Sequence, residues 1–251
     1  MRSGNPALKP STFLDLGTGV VTDARGGVMT LNGTVNRTAF LLLLTLVGAM
    51  YSWSVFFGSA GAANLMPYVL VGGLGGFVVA MVTIFKKTWA PFTAPLYAVL
   101  EGLFIGAMSA IFEQRHPGIV IQATALTFGT LAALLMAYRS GLIKATENFK
   151  LGVVAATGGI ALVYLASIVM GFFGHAIPMI NGGGMLGIGF SAVVVVVAAL
   201  NLVLDFAFIE EGVAKGAPKY MEWYAAFGLL VTLVWLYLEI LRLLSKLQSR
   251  N

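Results

Sequence analysis

Seven long apolar runs follow one another along this 251-residue chain, each close to the ~20 residues a helix needs to cross a bilayer. They fall at about 38–58, 67–85, 91–112, 118–138, 151–173, 186–209 and 223–244. In lipid, a helix satisfies all its backbone groups within one segment, so the expected fold class is an all-α membrane protein with seven transmembrane helices. The runs break where breakers stand: at Pro67, at Lys86–Lys87 with Pro91, at His116–Pro117, at Ser140–Gly141, at Pro178 with Gly182–Gly184, and at Gly216–Pro218. Proline is tolerated in the first turn of a helix, whose amides lack intrahelical acceptors.

Composition agrees. Only 10% of the residues are charged, against about 25% in soluble domains. The 31 glycines suit helices that approach one another closely. With no cysteine, disulfides, thiolate metal sites and thiol catalysis are excluded. Residues 1–37 hold no apolar run and read as an N-terminal cytoplasmic tail, partly disordered, with Met29–Arg37 at the membrane interface. Residues 38–251 form the seven-helix transmembrane domain. No short apolar core near the start marks a cleaved leader.

Orientation follows from lysine and arginine. Arg2, Lys9, Arg25, Arg37, Lys86, Lys87, Arg139, Lys144, Lys150, Lys215 and Lys219 fall on one side, eleven in all. Arg115, Arg242, Lys246 and Arg250 fall on the other. The N-terminus is therefore expected in the cytoplasm. The basic residues sit singly in loops, which explains the net charge of +5 without nucleic acid. Gly72–Gly76 and Gly102–Gly106 are GxxxG pairs that could seat a neighbouring helix, either within the bundle or in a second copy.

Acids within the runs are few: Glu101, Asp205 and Glu239. An acid at the centre of a membrane helix costs roughly 2.5–3.5 kcal/mol on insertion scales, so each is a candidate functional residue needing a partner. Asp205 stands one turn after Asn201, whose amide could donate to it. Glu239 is the candidate partner of Asp205. Arg242, three residues on, offers Glu239 an ordinary intrahelical ion pair instead. Two acids sharing a buried site tend to hold one proton between them and titrate as a pair. When protonated, such a pair would join two helices; when ionised, it would part them and attract a hard cation such as calcium. Asp205 and Glu239 are thus the expected pH sensor and the expected metal ligands, with Glu101 and Asn201 along the ion path.

Enzyme chemistry finds little support. Gly189–Phe190–Ser191–Ala192 lacks the final glycine of an intramembrane serine protease motif. His116 and His175 fall in loops, no phosphate-binding loop is present, and no lysine falls within 223–244 to carry a retinal Schiff base.

Four segments together resemble the Bax inhibitor-1 (transmembrane BAX inhibitor motif) family, and in particular its bacterial branch: NPALKPSTF (Asn5–Phe13), MTLNGTVNRTAFLL (Met29–Leu42), LVLDF (Leu202–Phe206) and LYLEILRLL (Leu236–Leu244). The resemblance implies a seven-helix bundle with the last helix central, in a bacterial inner membrane, acting as a pH-sensitive calcium leak. It carries the family's pair of sensor aspartates onto Asp205 and Glu239. A basic residue that latches the closed state falls near Lys86 or Lys87, with Arg242 a further candidate. It implies no cofactor, calcium being cargo. The second acid here is Glu, not Asp. On the boundaries above it lies about 16 residues into its span, or about 24 Å of rise, whereas Asp205 lies near the cytoplasmic end of its own. The two meet only if the last span starts later, with Glu101 as the reserve partner. The alternative reading is a non-conducting regulator that binds another membrane protein such as a protease complex. A proton-coupled transporter is a third.

Overall fold

The computed structural model describes residues 27–59, 64–173, 182 and 184–249. The tail before residue 27, with its NPALKPSTF segment, and His175 lie outside them. Seven membrane-length helices follow in order: α1 (Leu31–Gly58), α2 (Met66–Phe85), a 3-10 turn (Lys87–Trp89), α3 (Ala90–Arg115), α4 (Ile119–Arg139), α5 (Glu147–Phe172), α6 (Met185–Ala214) and α7 (Met221–Gln248). Large apolar side chains such as Leu74, Phe77, Ile121 and Leu162 point outward, as lipid requires.

The helix ends are set by local chemistry. The Thr30 hydroxyl accepts from Gly33 N at 3.0 Å and starts α1. Pro67 and Pro91 occupy the first turns of α2 and α3. At the end of α6, Gly216 takes the left-handed conformation (φ +61°), and Gly216 N and Ala217 N bond back to Val213 O and Gly212 O. This closure suits a residue without a Cβ.

Glycine packs one side of the bundle. A Cβ on Gly72 would come 2.7 Å from Leu100 O, and one on Gly102 or Gly106 would meet the α1 backbone at Thr45 or Ala49. Both GxxxG pairs therefore seat neighbouring helices inside the bundle, α2 on α3 and α3 on α1.

The interior is built around two helices. α7 packs against α1, α3, α4 and α6, yet α6 and α7 are equally buried, 61% of each apolar window. Burial thus does not single out the last helix as the centre. α5 is peripheral, with 11% buried, and packs chiefly on α6.

Several boundaries differ from those read in the sequence. α1 begins at Leu31, ahead of the apolar run at 38, so Leu31–Arg37 belongs to the first helix and not to the tail. Its polar first turns are held by protein: Met29 N donates to Ala217 O at 2.7 Å, and Thr30 N and Thr30 Oγ1 both donate to Glu222 Oε1, at 3.0 and 2.8 Å. Lys219 pairs with the same oxygen at 2.7 Å. Arg37 lies over the Trp223 ring, 4.6 Å from its centre. α6 runs five residues past 209, and α7 continues past 244 to include Lys246.

Candidate functional site

Three helices each turn one heptad-spaced stripe to a common seam. On α5 the stripe is Val153, Thr157, Ile160 and Tyr164. On α6 it is Ser191, Val194, Ala198, Asn201 and Asp205. On α7 it is Thr232, Trp235, Glu239, Arg242 and Lys246. Residues three and four apart share a helical face, so each helix brings its polar residues to the same side.

At the end of the seam nearer the N-terminal face stand Asn201 and Asp205, 1% and 0% exposed. The Asn201 amide does not donate to Asp205. It donates to Thr157 Oγ1 of α5 and to its own helix at Val197 O, both at 2.8 Å. Asn201 Oδ1 and both Asp205 oxygens are buried without a well-formed hydrogen bond, although the Thr232 hydroxyl of α7 is close enough to act on the carboxyl. A buried polar group left in this state costs about 1–3 kcal/mol.

Toward the opposite face, Glu239 is saturated. Arg242 Nη1 reaches both its oxygens, at 2.9 and 3.1 Å, and the Tyr164 hydroxyl of α5 reaches them at 2.9 and 3.0 Å. Arg242 also donates to the Tyr164 hydroxyl. The ion pair expected at the i, i+3 spacing is therefore formed. One turn further, Lys246 Nζ donates to Ser191 Oγ at 2.9 Å and to Gly187 O at 3.1 Å. Ser191 is thus held by a buried lysine from the last helix.

The structure does not bring the two acids together. Asp205 stands beside Thr232, seven residues and about 10 Å of rise before Glu239, and among the described residues no other carboxylate acts on it. Glu101 lies elsewhere, between α2 and α3. Tyr97 stands one turn before it and interacts with its carboxylate, and a Cβ on Gly76 would come 3.1 Å from its Oε2. Lys86 caps α2 and Lys87 opens the 3-10 turn; neither belongs to the seam. Among the described residues no three His, Asp or Glu stand close enough to hold a metal ion.

The sequence profile described as Bax inhibitor 1 like matches residues 5–249, nearly the whole chain. The chain belongs to that family. Comparison with curated proteins and with solved structures finds no match. Within this Bax inhibitor 1 like bundle, the sequence pointed to Asp205, Asn201, Glu239 and Arg242 through their rarity in apolar runs. It missed Thr157, Tyr164 and Thr232, whose only signal is that they continue the heptad stripes. Ser191 stands in the sequence within an incomplete motif, and Lys246 as a charge beyond the last expected span.

Proposed function

We propose that this protein is a pH-sensitive cation leak in a bacterial inner membrane, with calcium as cargo, and that Asp205 is its titrating group. The supporting observation is the Asp205 carboxyl, wholly buried with neither oxygen properly bonded. Ionising such a group in place costs several kcal/mol unless a partner or water arrives. Loss of its proton therefore favours an arrangement that admits water and a cation beside it. Intramembrane acids of this kind mark ion and proton pathways.

The face bearing Arg37, Lys86, Lys87, Arg139, Lys144, Lys150, Lys215 and Lys219 lies in the cytoplasm, following the rule that positive loops stay inside. No catalytic step or resident cofactor is needed: calcium seats use 6–8 oxygens, and a leak passes the ion along rather than holding it.

The test is calcium entry into dye-loaded proteoliposomes across about pH 5 to 8, with wild type and Asp205→Asn compared. Wild type should leak in a pH-dependent manner, and Asp205→Asn, which cannot ionise, should give a flat profile. Persistence of the full pH dependence in Asp205→Asn would remove the sensor assignment. Absence of flux from folded, inserted wild type at every pH would overturn the leak and favour the regulator of another membrane protein.

A further inference from the structure

The two acids stand at different depths of one seam, and what separates them is apolar. Ile160 of α5 and Val194 and Val197 of α6 form a closed cluster with Trp235 of α7 packed against it. Ile160 and Val197 are each 8% exposed and Val194 is 0% exposed. The layers follow in register. Thr157, Asn201, Asp205 and Thr232 come first, then Ile160, Val197 and Trp235, then Tyr164, Glu239 and Arg242.

We infer that the ion path of the leak follows this α5–α6–α7 seam, closed by the Ile160–Val197–Trp235 layer, with Arg242 as a tethered cation filling the seat at Glu239. The inference rests on the leak reading and says where that leak runs. A tightly packed apolar ring between polar stations excludes water, which is how hydrophobic constrictions close channels. Arg242 Nη1 covers both Glu239 oxygens, and Lys246 is near enough to feel both charges. The outer station is therefore positive and repels an arriving cation for as long as Arg242 stays in place.

The seam can also open without repacking the core. α5 packs chiefly on α6, and a Cβ on its Gly152, Gly158 or Gly159 would meet nothing within 4 Å. Displacing α5 would break the Thr157–Asn201 bond, the Tyr164 bonds and the apolar layer. Glu101, on α3 and facing Gly76 of α2, lies off this path.

The chain has no cysteine, so single cysteines report water access cleanly. Val197→Cys places one in the apolar layer. Ile160→Cys does so from α5, should the first variant fold poorly. Ala107→Cys is the buried control, packed near Phe56 away from the seam. Under conditions that support flux, a positively charged methanethiosulfonate should modify Val197→Cys or Ile160→Cys and reduce calcium flux severalfold, leaving Ala107→Cys unmodified. Arg242→Gln should raise flux severalfold. Flux that persists with both layer cysteines unmodified, or modified without effect, overturns this path while the leak itself stands. No flux from wild type and none from Arg242→Gln overturns the leak, and the path with it.

Discussion

Glu222 is as completely buried as Asp205, but its surroundings give it a different part. Its Oε1 accepts from Thr30 N, from the Thr30 hydroxyl and from Lys219, while Gly33 leaves the space that its carboxyl fills. A negative group at the first amides of a helix completes bonds the helix cannot make itself. Glu222→Ala should therefore lower stability by about 1–3 kcal/mol, read as a lower melting midpoint in detergent. Gly33→Ala should act in the same direction, because its methyl would overlap the carboxyl. An unchanged midpoint in both would show that the clasp adds nothing to stability. At this scale the sequence reveals which residues are unusual and not whom they meet. Asp205 and Glu239 stand out as acids in apolar runs, but Thr30 and Glu222 are 192 residues apart. Tyr164 passes for one more aromatic in a membrane helix until its hydroxyl is seen on Glu239.

Among the helices, the apolar stretches were legible and their ends were not. Hydropathy marks the part of a helix that lies in lipid, whereas α1 begins at Leu31, just after Met29 bonds to Ala217 of the α6–α7 connection, and carries Arg37 over the Trp223 ring. Likewise α7 carries Lys246 within it, made tolerable by Ser191 and Gly187. Glycine content also hides a division of labour. Gly102 and Gly106 let α3 touch α1 directly, whereas Gly158 on α5 faces open space. Gly102→Ala and Gly106→Ala should each cost about 1–3 kcal/mol through overpacking. Gly158→Ala should be neutral or stabilising by up to about 1 kcal/mol. Thermal melts of the three variants check this, and equal losses in all three would contradict the division.

The whole molecule combines a firm half and a loose edge. α1 and α2 each close on α3 through glycine, α6 and α7 form the buried middle, and α5 leans on α6. Local opening follows burial, so hydrogen exchange in detergent should be faster along α5 than along α6 or α7. Protection of α5 equal to that of α7 would count against its role as the moving part. The seven-helix architecture was legible because lipid leaves the chain few ways to satisfy its backbone. The different depths of Asp205 and Glu239 were legible from the span boundaries as well, since α7 starts no later than expected; the Thr232 and Tyr164 side chains that meet them were not.

The clasp between Thr30 and Glu222 also sets an order in time. Its two halves leave the ribosome 192 residues apart, about 10–40 s at ~5–20 residues per second. Until the last helix emerges, the start of the first lacks its Glu222 clasp, and Asp205 lacks the helix that carries Thr232 beside it. Newborn chains therefore carry an unclasped first helix and an uncovered acid until α7 has emerged.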